Sequence, residues 1–505
     1  MSMSRKQAFA ALVAAGLGLS AGTALAQDTL RVGHDSMPAQ FGQPFGTFGA
    51  NGTVPLMAIY DALTYLDADG KVTPGLALSW ASKDPMTWEF KLRPNVRFHN
   101  GKPFNAETMV AVIDGLNNDP VVKLQQAAMQ LRGMASARAI DDLTVEIKMA
   151  APNPILERQF AIMRPYEPQA WKDMGPEGYG RKPIGTGAYK IDDWGKSEIK
   201  ATASTDSWRP ARIAKLHIIE LPEIPSRVQA LCSNQVDVIL FLAPDNRTQV
   251  EACGKTAVFN LTPDTVNLIL NIVKGGEAIK DVRVRQALNY AYDKESFIKN
   301  VLGGITKSSG QPATSALQGF QADIKAYPHD PAKARQLLSE AGYARGIKLV
   351  AEVVVDTGEF ADTFSAIAAD AKKVGVDLEL RIITIPDLVS KIIGQKQWEG
   401  DAFSMMYEGF PTADVARPMN THSCMFRNPH TCFPEIMPTI EAMNTEFDGQ
   451  KRAALQRRVM QFYHDQATAV FSHERVQVDA VGKNVRGYSI VNRTVPWHQI
   501  EFVRN

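Results

Sequence analysis

The chain has 505 residues, with 55 Lys and Arg set against 54 Asp and Glu, a formal charge of +1. That balance leaves no electrostatic footprint for nucleic acid or an anionic membrane surface. At this length one hydrophobic core cannot serve the whole chain, so two or three domains are expected.

The N-terminus reads as a secretory signal peptide. Arg5 and Lys6 are its charged start, residues 8–19 its apolar core, and Ala24-Leu25-Ala26 a small-x-small cleavage site before Gln27. The apolar run is shorter than the about 20 residues of a membrane-spanning helix. No Cys lies at the cleavage site, so no lipid anchor is expected there. The leader carries two positive charges and no negative one, so the chain from Gln27 carries −1 and is expected to be exported and soluble.

Residues 28–32 form a first short strand. The loop 33–52 sets Phe41, Phe45 and Phe48 among five glycines. Two readings stand: aromatic anchors into a core, or a cleft wall where glycine lets backbone approach a ligand. Leu56, Ile59, Tyr60 and Leu63 recur at helical spacing. Asp67-Ala68-Asp69-Gly70 is a turn, because the late Glu of a calcium loop is missing.

In 76–110, Trp88, Phe90 and Leu92 alternate with Thr87, Glu89, Lys91 and Arg93, the pattern of a half-buried strand. Asn100-Gly101 makes a tight turn, and Asn105 is placed to cap a helix. Residues 143–149 alternate as a strand. Pro183-Ile-Gly185-Thr-Gly187-Ala-Tyr189 lacks both the Walker spacing and the third glycine of a dinucleotide loop. Asp237 precedes a buried strand and reads as a turn or capping residue. Arg283 and Arg285 do not share a helical face, so structural ion pairs are expected of them. Asp330-Pro331 opens a capped helix. Strand 348–355, helix 361–374 and strand 377–383 make a β-α-β unit, which implies parallel strands. A long helix spans 452–467, and 476–480 and 499–503 read as closing strands.

Four cysteines, Cys232, Cys253, Cys424 and Cys432, allow three disulfide pairings. The local pairing, Cys232–Cys253 and Cys424–Cys432, is expected because each pair falls within one module. No H-E-x-x-H, C-x-x-C or Walker box occurs, and His464 and His473 share no helical face. No cofactor, metal site or catalytic residue is expected.

Several of these stretches, in this order, closely resemble the family 5 extracellular solute-binding proteins, the peptide, oligopeptide and nickel receptors of ABC importers. They are 76–110, the Pro183–Tyr189 crossover, the Asp281-Val-Arg-Val-Arg-Gln-Ala helix and Gly409-Phe410-Pro411-Thr412-Ala413-Asp414. The resemblance implies an α/β, two-lobe periplasmic binding protein fold of type II, cluster C-like, with an inserted small domain and a hinge. It implies lobe I from 27–52, 185–268 and 480–505, the inserted domain from 53–184, and lobe II from 269–479. The implied role is capture of a short peptide in the interlobe cleft and delivery to inner-membrane permease subunits, as a periplasmic monomer. A nickel chelate, oligosaccharide or opine is the alternative ligand, and a periplasmic hydrolase or chaperone the alternative class. Asp414 falls where the family binds a ligand ammonium. Arg417 is then placed either to bind a carboxylate or to pair with Asp414. Tyr407 and Phe410 are either cleft walls or core, Asn271 would hydrogen-bond the ligand, and Phe41 would reach it from the first loop. Phe410 stands where the family usually carries Trp.

Overall fold

The structure is a computed structural model that describes residues 28–47, 49–355, 358–393 and 397–503. The expected signal peptide and cleavage site, and Phe48, lie outside the described residues.

Two long strands organise the fold. Thr256–Leu270 and Ala469–Val481 pair antiparallel from Thr256 opposite Val481 to Ile269 opposite Ala469. They lie mid-sheet in an eleven-stranded sheet. On one side follow Val238–Leu242, Thr29–His34, Lys215–Glu220, Glu198–Ala203 and Tyr189–Trp194. On the other lie Ala402–Ser404, Ile347–Val353 and Val376–Ile382, with Tyr407–Glu408 also on Thr256–Leu270. The expected closing strand at 476–480 is thus the end of a longer element. Glu501–Phe502 joins Val485–Arg486 in a separate ribbon instead of the main sheet.

The β-α-β unit forms as read. Ile347–Val353 and Val376–Ile382 are parallel, and helix Gly358–Lys373 connects them. Asp330 caps helix Pro331–Glu340 by accepting the Lys333 N–H at 2.9 Å.

A separate four-stranded antiparallel sheet runs Ala77–Asp84, Thr87–Leu92, Thr144–Met149, Met134–Asp141. Trp88, Phe90 and Leu92 are buried and Lys91 is exposed. Thr87 departs from the alternation: it is buried, its hydroxyl accepting from Lys148 Nζ at 2.7 Å. Asn105 caps helix Ala106–Asn118, with Thr108 closing the reciprocal bond. The helix expected from the spacing of Leu56, Ile59, Tyr60 and Leu63 sits earlier, at Ala50–Ile59. Its end is fixed by packing: a Cβ on Gly185 or Gly187 would lie 2.1 or 2.6 Å from the Ile59 carbonyl oxygen. His99 bonds the Gly187 carbonyl at 3.0 Å, tying the 76–110 segment to the Pro183–Tyr189 crossover. Burial depresses its pKa.

Several charges read from local pattern have long-range partners. Asp237 is neither turn nor cap. Its carboxylate accepts from the Arg31 N–H at 2.9 Å and from Arg31 Nη2 at 2.9 Å, bracing the first strand. Arg283 pairs with Asp281 at 2.6 Å, but Arg285 is buried and donates to the carbonyls of Gln466, Ile279 and Lys280. Sulfur bonds link Cys232 to Cys253 and Cys424 to Cys432.

Asp479, on the second long strand, is fully buried and accepts from the Phe241 N–H at 2.9 Å and the Tyr488 hydroxyl at 2.8 Å. Burial pushes its pKa up to about 6. An acid raised in the folded state contributes stability at low pH, and that stability is lost as pH rises through the folded value. Asp479→Asn removes this titration. Relative to the variant, the parent chain is expected to lose about 2–3 kcal/mol between pH 4 and pH 7, read from urea unfolding across that range.

Candidate functional site

A cavity of about 490 Å³ lies against the face of the sheet where the first long strand meets the short strands. This size is typical of small-ligand sites. Ser404 and Glu408 reach it from the short strands Ala402–Ser404 and Tyr407–Glu408, and Met405 and Met406 from the link between them. Val266 and Asn267 come from the adjacent long strand.

Helices close the walls. Phe360 and Phe364 sit one turn apart on Gly358–Lys373, and Leu388 and Ile392 one turn apart on Ile385–Ile393. Arg417 and Thr421 lie on the short helix Ala416–Thr421, followed by His422 and Phe426. Gln130 lines the cavity from the end of the short helix Gln126–Met129. The walls are therefore mainly aromatic, aliphatic and thioether, with a few polar groups.

The polar groups divide into committed and uncommitted ones. Arg493 bridges Asp264 at 2.6 Å and Glu408 at 3.1 Å, and Arg417 faces Glu408 at 3.5 Å. His422 is held by His430 at 2.9 Å and by the Met406 carbonyl at 3.1 Å. Burial drives its pKa down to about 3 and that of His430 well below the usual range, so both are neutral. Asn267 is buried, and its Oδ1 has no hydrogen-bond partner among the described residues. A buried amide oxygen left alone costs free energy, so this atom is poised for an N–H donor.

Of the six residues expected to meet a ligand, Arg417 alone is on this cavity wall. Asp414 is fully buried away from it. Arg452 grips both carboxylate oxygens at 2.7 Å, and Gln456 and the Ala416 N–H add further bonds. The alternative of an Asp414–Arg417 ion pair is not seen among the described residues, where Arg417 faces Glu408 at 3.5 Å. Tyr407 is core: its hydroxyl meets Thr468 at 2.7 Å and its ring packs on His422. Phe410 is buried under the Arg493 guanidinium, 4.7 Å from the ring centre. Asn271 is spent within the fold, donating to Gly400 at 2.9 Å and accepting from the Lys274 N–H at 3.1 Å. Phe41 is half-buried beneath Arg181.

The residues that do line the cavity left only a periodicity signal. The 360/364 and 385/388/392 spacings mark apolar helix faces, and such faces are equally what a core requires.

Comparison with known proteins agrees with this architecture. The dipeptide-binding protein of Escherichia coli K12 is 26% identical over 517 residues, spanning 94% of this chain and 95% of the relative. The periplasmic binding protein DppA of Helicobacter pylori, solved with the peptide STSA, superposes with a TM-score of 0.75 at 20% identity, covering 94% of this chain and 98% of that one. HbpA2 of Haemophilus parasuis superposes with a TM-score of 0.81 at 22% identity, covering 94% and 100%. The family model for bacterial extracellular solute-binding proteins, family 5, matches residues 71–424. With the two-lobe α/β fold and that match over more than half its length, the chain belongs to the family 5 bacterial extracellular solute-binding proteins.

Proposed function

We propose that this chain is the periplasmic receptor of an ABC importer and that it captures a short peptide in the 490 Å³ cavity, as a monomer, for delivery to inner-membrane permease subunits. The observation that carries the reading is an apolar, aromatic-walled cavity with a buried amide oxygen, at Asn267, that has no partner among the described residues. Apolar walls favour a side chain, and the lone acceptor favours a peptide N–H. The near full-length similarity to a dipeptide-binding protein supports the same ligand class. The role is capture without turnover. Export rests on the leader read at residues 1–26.

The test is mass spectrometry and metal analysis of whatever denatured, periplasm-purified protein releases. A short peptide at close to one per chain is expected; nickel, a sugar or an opine in its place would overturn the peptide reading. Met405→Trp places an indole in the cavity. It is expected to weaken ligand binding by about tenfold or more, with the urea midpoint little changed because Met405 is only half-buried.

A further inference from the structure

We propose that the cavity reads the carboxylate end of its peptide through Arg475 and selects a bulky apolar side chain, while the amino end is not recognised by its charge. This rests on the peptide reading above.

Glu408 is the one carboxylate among the described lining residues, and it already faces two guanidiniums, Arg493 at 3.1 Å and Arg417 at 3.5 Å. An ammonium brought to it would meet those two positive charges at close range. Asp414 is closed off by Arg452. The walls therefore offer an ammonium no carboxylate without cation partners among the described residues.

Arg475 is held differently. It projects from the second long strand onto two lining side chains, over the Phe360 ring at 5.5 Å and with Nη1 3.8 Å from Met406 Sδ. Its carboxylate neighbour is Glu359, whose Oε2 lies 3.9 Å from Nε while its Oε1 is held by His473 at 2.9 Å. The side chain keeps 29% exposure. A guanidinium lying on a ring leaves its in-plane N–H edge for a carboxylate in fork geometry. Phe360, Phe364, Leu388 and Phe426 then surround an adjacent side chain. Asn267 Oδ1 accepts from nitrogen whether it is an ammonium or an amide, so blocking the amino end leaves that contact in place.

The test uses full-length mature protein, stripped of bound ligand by unfolding and refolding, with calorimetric titration of four probes: Leu-Phe, N-acetyl-Leu-Phe, Leu-Phe amide and Gly-Gly. N-acetyl-Leu-Phe is expected within about threefold of Leu-Phe, and Leu-Phe amide and Gly-Gly about tenfold weaker or more. Arg475→Gln is expected to weaken Leu-Phe about tenfold while leaving Leu-Phe amide as in the parent, a pattern that a merely structural arginine would not produce. Arg475→Lys should recover part of the loss. Amide binding equal to acid binding, loss of binding on acetylation, or Gly-Gly equal to Leu-Phe would each overturn this inference and leave the peptide receptor standing. If none of the four probes binds, the peptide reading and this inference fall together.

Discussion

Arg452→Ala is expected to lower the unfolding free energy by about 3–5 kcal/mol, read from the urea midpoint at neutral pH. The reason is geometric. Arg452, on helix Gly449–Asp465, places Nη1 and Nη2 each 2.7 Å from the two oxygens of Asp414, and both side chains are buried. Removing the guanidinium leaves a carboxylate in the core whose remaining hydrogen-bond donors among the described residues are the Gln456 amide at 3.3 Å and the Ala416 N–H at 2.8 Å. Those donors do not replace a charge. Asp414→Ala is expected to cost a similar amount by stranding the cation. Replacing both residues with apolar side chains of matching volume should recover most of the loss, because the penalty comes from the unpaired charge rather than the missing attraction. A loss below about 1 kcal/mol in both single variants would mean that the pair is solvated and that Asp414 is open to another partner. Binding by the folded Asp414→Ala protein is expected to match the parent, since Asp414 is not on the cavity wall.

Arg493→Ala is expected to cost about 3–5 kcal/mol as well, and to weaken ligand binding in addition. Arg493 holds Asp264 of the first long strand at 2.6 Å and Glu408 at 3.1 Å, and it covers the Phe410 ring. Without it Glu408 keeps Arg417, but Asp264 keeps the Gly409 N–H at 3.2 Å as its remaining side-chain contact. Arg417 would then serve two carboxylates, and the polar end of the cavity would change. Arg493→Lys should restore only part of the stability, because an ammonium cannot form both arms of the fork. Thermal unfolding and the same peptide titration separate the two effects. An unchanged affinity in a destabilised variant would show that the quartet of Asp264, Arg493, Glu408 and Arg417 acts on the fold alone.

These two sites show where reading along the chain stops. The alternation of Trp88, Phe90 and Leu92, the Asn105 cap, the Asp330-Pro331 helix start and the β-α-β unit were all legible, because each depends on a period or on bonds a few residues apart. The ordered family motifs carried the fold as well, since they mark turns and packing glycines that the architecture needs, as Gly185 and Gly187 against Ile59 demonstrate. The fate of a buried charge is different. Asp414 and Arg452 are 38 positions apart, and Asp264 and Arg493 are 229 apart. No local pattern selects one arginine over another as partner, so the nearby Arg417 was the partner considered for Asp414 and Arg452 was not. The cavity is likewise a product of packing. Phe360, Leu388 and Met405 have the spacing and chemistry of core residues, and only the arrangement of helices against the sheet leaves space between them. The sequence by itself determined the alternating strand at 87–92, the β-α-β unit, the Asn105 and Asp330 caps and the family, because those follow from short-range periodicity and backbone geometry. Only the tertiary structure decided which charges neutralise one another and which apolar faces surround a ligand, because desolvation and pairing depend on what lies across the fold.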